Sequence, residues 1–283
     1  MIIDVALVRR LLAEQFPQWA DLPVAPVAVG GNDNRTFHIG DGMTARLPSA
    51  EGYVASVEKE QRWLPVLAPH LPVPIPAPLG HGRPGAGYPW PWSVNRWVDG
   101  DTARRDTVTD LTAFAVDLAG FATALQGVDT GGEPAAGRHS FWRGAALDHY
   151  DDETRKSIAA LDGRIDGAAA TAEWDAALAA EWRGRPVWFH GDFAPGNLLV
   201  RAGRLAGVID FGTSGVGDPA CDTVIAWTFL DAPARVAFKE ALGVDDATWQ
   251  RGRGWALWKA LITLAQDATA TAAAREIALI TRR

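Results

Sequence analysis

Cysteine is nearly missing from this chain: Cys221 is the one thiol in 283 residues. That excludes a disulfide framework within the chain and a zinc cluster built on cysteines. A single cysteine can serve as a nucleophile, but Pro219-Ala220-Cys221-Asp222 brings no neighbouring base, and a small buried residue fits better. No apolar run approaches the roughly 20 residues that a membrane helix needs. The first residues carry Asp4 and Arg9-Arg10 and make a poor signal peptide. A cytoplasmic protein without a membrane partner is therefore expected. Basic charge is not in excess either: 27 Lys and Arg stand against 34 Asp and Glu, for a net charge of −7. That balance argues against a nucleic-acid partner and mildly favours cationic small molecules. What is present is an ordinary globular composition, 48% apolar, long enough to bury a substantial core in one large domain or two lobes.

Periodicity divides the chain in two. Asp4 to Phe16 has Val5, Val8, Leu11 and Leu12 at helical spacing behind a capping Asp4. Pro26–Val29, Thr36–Ile39 and Met43–Leu47 read as a β-meander around a Gly30-Gly31-Asn32-Asp33-Asn34 turn and a Gly40-Asp41-Gly42 turn. Glu51 to Leu67 returns to helical period. Leu71 to Pro78 alternates with prolines and must be extended. Strands follow at Leu79–His81 and Trp92–Val98. Beyond Asp101 helices dominate, first Asp106–Val128 with Leu111, Phe114, Leu118, Phe121 and Leu125 on one face. A less sharply bounded helical region, Phe141–Trp182, comes next. A short strand at Pro186–Phe189 and a hairpin of Asn197–Val200 with Leu205–Ile209 interrupt the helices, which resume from Asp218. The expectation is an α+β chain of two lobes, residues 1–100 and 101–283, with a ligand in the cleft between them.

Chemistry concentrates in His190-Gly191-Asp192-Phe193-Ala194-Pro195-Gly196-Asn197-Leu198-Leu199-Val200 and, after the hairpin, Val208-Ile209-Asp210-Phe211-Gly212. Asp192 and Asn197 flank a compact Pro-Gly loop and can point into the same space, and the hairpin returns Asp210 beside Asn197. Asp and Asn oxygens so placed suit Mg²⁺, which takes one or two protein carboxylates together with phosphates. Asp192 is left to accept a proton from an attacking hydroxyl. His-Gly-Asp alone, or Asp-Phe-Gly alone, would be an unremarkable turn. Both in this order, with the Asn five residues past the Asp and apolar strands between, carry more weight.

On these residues the chain resembles the aminoglycoside phosphotransferase/choline kinase family, small-molecule relatives of the protein kinases. The resemblance implies a bilobal protein-kinase-like fold with a nucleotide-binding first lobe and a helical second lobe holding the catalytic loop. It implies ATP or GTP as co-substrate with Mg²⁺, Asp192 as catalytic base, and Asn197 and Asp210 as metal ligands. His190 would brace the loop, and Leu199 and Ile209 would line the adenine pocket. Gly215-Val216-Gly217-Asp218-Pro219-Ala220-Cys221-Asp222 matches the family's GxGDPxxD continuation, where Asp218 would fix the loop and cap the next helix. The Gly30–Asn34 turn resembles a nucleotide-positioning loop, although a plain hairpin turn explains it equally. Glu60 occupies the place of the helix Glu that pairs with the phosphate-binding base, although a solvated helix face would also suit it. Arg96 and Val98 would meet the adenine edge through their backbone.

Two departures from the protein kinases matter. Arg46 stands where they put a strand Lys; it can pair with Glu60 or a phosphate, but the exchange is not neutral. Only Thr213 to Gly217 separates Gly212 from Asp218, and Ala194 replaces a Lys two residues after the base. No peptide-docking platform fits, so the acceptor should be a small molecule and not a protein. Asp148 to Glu153, with Tyr150 and Trp142 nearby, suggests an acidic, aromatic-edged surface for amines; a helix start with acids in its first turn is the competing account. The expected function is phosphoryl transfer to a polar, cationic antibiotic such as an aminoglycoside or cationic peptide. Alternatives are a metabolite kinase acting on choline, homoserine or a sugar, and a nucleotide-binding pseudokinase.

Overall fold

The computed structural model describes residues 2–28, 30–31, 33–132 and 135–282. The chain forms two compact units, Met1–Asp99 with Gly207–Gly212, and Gly100–Ala206 with Thr213–Arg283.

In the first unit, Asp4 accepts from the Leu7 N–H at 2.8 Å and starts α1 (Val5–Gln15), whose Leu7, Val8, Leu11 and Leu12 are buried. Their partners are one face of an antiparallel sheet built from β1 (Val24–Pro26), β2 (Asn34–Ile39), β3 (Met43–Pro48), β4 (Pro78–Gly82) and β5 (Trp92–Arg96), in the order β1-β2-β3-β5-β4. Phe37, Ile39, Ala45, Leu47, Trp92 and Val94 complete that core. The two-residue alternation of a strand then assigns Thr44 and Arg46 of β3 to the opposite face. The other helix of the unit, α2 (Val54–Leu67), follows a single 3₁₀ turn and buries Val57, Lys59, Glu60, Trp63 and Leu64. Its two buried charges mark a face that is more than core.

The first strand lies earlier than the sequence suggested. Val24, not Val27, is the buried residue paired with Ile39, and the ladder ends at Pro26, which has no N–H to donate. Val29 and Asn32 of the expected strand and turn lie outside the described residues.

The second unit contains β6 (Asp101–Thr102), α3 (Leu111–Gln126), α4 (Asp151–Ala160), α5 (Gly167–Ala179), β7 (Val187–Phe189) and β8 (Leu198–Arg201). After β9 (Arg204–Val208), which runs on into the first unit, come β10 (Gly215–Gly217), α6 (Ile225–Thr228), α7 (Ala232–Leu242), α8 (Asp246–Gln266) and α9 (Thr271–Ile280). α8 is its axis, packed by α4, α5, α9 and the 3₁₀ turn Pro219–Thr223. The helix expected from Asp106 starts at Leu111. Asp110 is the cap, accepting from the Thr112 and Ala113 N–H groups, while Asp106 pairs with Arg104. The region 141–182 holds α4 and α5: Phe141 and Trp142 have positive φ (49° and 57°) and turn the chain before α4, and residues 161–166, with Gly163 at φ 73°, separate the two helices.

The β8–β9 hairpin turns on Ala202 and Gly203, both left-handed (φ 51° and 79°), the two-residue turn whose twist matches the strands. A Cβ on Gly203 would lie 2.0 Å from Thr109 Oγ1, so glycine is required there on both counts. Among the described residues no helix is long and apolar enough to cross a membrane.

Candidate active site

The loop after β7 is built around backbone donors. Gly191 has φ 83°, and a Cβ there would stand 2.8 Å from the Thr213 carbonyl oxygen, so only glycine passes this corner. His190 is fully buried. Its ring stacks on Phe193 (4.9 Å between centroids), and its Nδ1 accepts from the Asp192 N–H at 3.2 Å. The backbone N–H groups of His190 and Gly191 donate to the two oxygens of Asp222, at 2.9 and 2.6 Å. Burial pushes the Asp222 carboxyl up to about 7, against the pull of those two donors.

Asp192 is gripped at both oxygens. Asn197 Nδ2 donates to Oδ2 at 2.9 Å and to the Asp192 carbonyl at 3.0 Å, while Lys259 Nζ on α8 reaches Oδ1 at 3.0 Å. Burial alone would raise this carboxyl. The Lys259 charge and hydrogen bond, joined by His190 and Arg143, outweigh it and hold Asp192 below its ordinary range. The carboxylate is therefore ionised, fixed in orientation and still about one-third exposed, which is the condition of a group that meets an incoming hydroxyl.

The turn that carries Asp222 is itself anchored. Asp218 accepts from the Ala220 N–H at 3.1 Å and receives Arg251 of α8 bidentately, Nε to Oδ2 at 2.6 Å and Nη2 to Oδ1 at 3.0 Å. Cys221, between them, is buried and its thiol is pushed well up by burial, which leaves no nucleophile there.

A second cluster lies in the first unit. Arg46 Nη1 donates to both Glu60 oxygens, at 3.1 and 3.2 Å, and Nη2 donates to Asp210 Oδ1 at 2.7 Å. Burial works to lower the Arg46 value, but the charges and hydrogen bonds of Glu60 and Asp210 raise it overall. Burial pushes Glu60 upward despite Arg46. Asp210 follows β9 with φ 66°, a left-handed turn that Asp tolerates better than most residues. Lys59 Nζ donates to the Gly212 carbonyl at 2.8 Å, and the Val208 N–H donates to the Pro74 carbonyl, so residues 207–212 are tied to α2 and to the proline-rich stretch.

The remaining sequence candidates are placed as follows. Leu199 on β8 and Val98 are buried, and Ile209 is partly buried. The Arg96 N–H donates to the Ala77 carbonyl. In the glycine turn, Gly30 and Gly31 have open space around them, and Arg35 Nη1 donates to the Gly31 carbonyl.

In the acidic patch the structure has the helix start with acids in its first turn that the sequence offered as the competing account. Asp151 is engaged by Trp174 Nε1 (2.7 Å) and Arg155 (2.8 Å), Asp152 by Lys156, and Glu153 by Trp258 Nε1 (2.8 Å). These acids occupy the first turn of α4, where the helix dipole favours them, and Trp142 stacks on His149 at 4.0 Å.

Three residues escaped the sequence reading, Lys259, Arg251 and Arg143, and Asp222 was read only as the end of the GxGDPxxD match, without a role. Lys259 had a signal, as the lone charge in Trp255-Ala256-Leu257-Trp258-Lys259-Ala260-Leu261, where a cation needs a partner.

Residues 24–255 match the phosphotransferase enzyme family, APH. An aminoglycoside 3'-phosphotransferase of Escherichia coli is 41% identical over 46 residues, which is 16% of this chain and 17% of that relative's length. Among solved structures, the GDP and kanamycin complex of APH(2")-IIIa superposes with a TM-score of 0.74 at 19% identity, covering 96% of each chain. A macrolide 2'-phosphotransferase from Brachybacterium faecium gives 0.62 at 21% identity, over 96% of this chain and 98% of that one. The family match spans most of the chain and includes the loop of His190 to Asn197, Asp210 and Asp218: the chain belongs to the phosphotransferase enzyme family.

Proposed function

We propose that the protein moves the γ-phosphoryl group of ATP or GTP to a hydroxyl group of a small molecule, with Asp192 as the base. The observation that carries this reading is the Asp192 carboxylate, held at one oxygen by Asn197 and at the other by Lys259. In the step itself the hydroxyl proton passes to Asp192, the hydroxyl oxygen forms a bond to the γ-phosphorus, and the bond to the bridging oxygen breaks. That bond's electron pair leaves with the nucleoside diphosphate. Most of the acceleration then comes from positioning and charge, as in kinases generally.

Residues 1–100 serve as the nucleotide lobe in this reading, with Arg46, oriented by Glu60, as the phosphate cation. Arg96, Val98, Leu199 and Ile209 meet the base. Residues 101–283 carry the catalytic loop, braced by His190, and the acceptor site. Asp210 and Asn197 fit Mg²⁺ by donor chemistry. Both Asn197 hydrogen bonds run from Nδ2, so its amide oxygen faces away from Asp192 as a hard ligand, and Asp210 supplies a carboxylate. When bound, the ion neutralises phosphate charge.

The relatives' complexes with GDP and ADP support a purine nucleotide. An antibiotic acceptor, aminoglycoside or macrolide, is supported by what those relatives are named for, not by the acidic residues of α4, which are engaged elsewhere. The test is nucleoside diphosphate release with Mg²⁺ and either nucleotide across aminoglycosides, macrolides, choline, homoserine and sugars. Stimulation by one acceptor class supports the reading. Nucleotide binding without release above an Asp192→Asn control would instead make the chain a pseudokinase.

A further inference from the structure

One oxygen of the Asp210 carboxylate is already taken within the first unit. Arg46 Nη2 donates to Oδ1 at 2.7 Å, and among the described residues no other donor reaches this side chain. Arg46 is held from the other side as well, because its Nη1 meets both oxygens of Glu60, which is 5% exposed. A lysine would have no second arm; the guanidinium fork joins the two acids at a fixed spacing. Asp210 itself leaves β9 through a left-handed turn (φ 66°), and the Gly212 carbonyl two residues on receives Lys59 Nζ. The Lys59 charge also acts on Glu60. Two cations, Arg46 and Lys59, therefore stand against two carboxylates, and the cluster is balanced as it is. Asp210 is one-third exposed, so an ion from solvent can approach it, but the guanidinium stands directly behind the carboxylate.

We infer that Arg46 and the divalent ion compete for Asp210, so that the ion enters this site together with the nucleotide phosphates, which draw Arg46 from Asp210 to themselves. The inference rests on Asp210 as the metal ligand of the reaction above. A dication on Asp210 alone would bring two uncompensated charges beside a guanidinium in a poorly solvated cluster. A nucleoside triphosphate brings several negative charges. The Nη2 arm can then turn from Asp210 to a phosphate oxygen while Nη1 stays on Glu60, exchanging one charge-assisted hydrogen bond for another. By linkage, nucleotide tightens the ion by the same factor as the ion tightens nucleotide.

The test is Mn²⁺ binding, read from the EPR signal of the free ion, with and without a non-hydrolysable ATP analogue. Mn²⁺ shares the preference of Mg²⁺ for octahedral oxygen ligands, and no turnover is needed. Arg46→Met is combined with Glu60→Gln, so that Glu60 is not left charged without its fork. Without nucleotide, this double variant should bind Mn²⁺ about tenfold or more tighter than the wild type. Glu60→Gln alone should bind it no tighter, and adding Asp210→Asn to the double variant should remove the gain. The nucleotide analogue should tighten Mn²⁺ by a larger factor in the wild type than in the double variant. Arg46→Gln with Glu60→Gln gives the same comparison if the methionine version folds poorly. Equal affinities without nucleotide, a gain that survives Asp210→Asn, or the full gain from Glu60→Gln alone overturns the competition. Nucleotide turnover that depends on Asp192 is scored separately. Its absence overturns the reaction, whereas intact turnover with equal Mn²⁺ affinities overturns the competition alone.

Discussion

Replacing Arg251 with Met should be among the most damaging single changes in the second unit. The guanidinium and the Asp218 carboxylate are only 7% and 6% exposed and meet through two hydrogen bonds of 2.6 and 3.0 Å. Arg251 also donates to the Ala180 and Glu181 carbonyls and to Thr248 Oγ1. Without it, Asp218 keeps the Ala220 N–H and loses its counter-charge. Breaking a buried pair from one side costs about 3–5 kcal/mol, because a charge is left in a medium that solvates it poorly. For a chain of this size that corresponds to a fall of about 10 °C in melting temperature. The same change loosens the turn that presents Asp222 to the His190 and Gly191 N–H groups, so turnover should fall with nucleotide binding intact. Melting curves and urea titrations of Arg251→Met, Asp218→Asn and the double variant measure this. The double variant should recover part of the loss, since it no longer buries an unpaired charge. A single-variant loss below about 1 kcal/mol, or a double variant as damaging as the two singles added, would refute the reasoning.

Arg46→Lys keeps the charge but cannot fork between Glu60 and Asp210 as the guanidinium does; it should raise KM for nucleotide about tenfold, and an unchanged KM counts against the phosphate role. Asp222 should make stability fall as pH rises. Its carboxyl keeps a proton to about 7 when folded but ionises near 3.8 when unfolded, so its stabilising contribution is complete below about 3.8 and lost by about 7. Melting temperature between pH 5 and 8 should therefore slope downward more in the wild type than in Asp222→Asn, and equal slopes would contradict the assignment.

The loop of His190 to Asn197 was legible because its chemistry is local. Gly191 is required by a corner, Asn197 returns across a short turn, and the hairpin to Asp210 is a two-residue connection. Arg46 was legible through the resemblance, as the residue standing where protein kinases put a strand Lys, and in the structure it lies on the face of β3 opposite the buried Ala45 and Leu47. What the sequence hid were partners far along the chain. Lys259 meets Asp192 from 67 residues away, and Arg251 meets Asp218 from 33. The acids of α4 left two accounts open because a carboxylate in a first helical turn looks the same in sequence whether it faces solvent, a ligand or the indole of Trp174. The break at Phe141 and Trp142 was hidden for another reason: bulky residues seldom adopt positive φ, and tertiary packing imposes it here.

Mass spectrometry of the acceptor after incubation with Mg²⁺ and nucleotide tests the central claim most directly, comparing wild type with Asp192→Asn, which preserves the side chain's shape and removes its basicity. The account predicts one added phosphoryl group on a hydroxyl of the acceptor with the wild type and a loss of about a thousandfold or more in rate with the variant, while nucleotide binding is retained. Phosphorylation of the acceptor at equal rates by both proteins would contradict it.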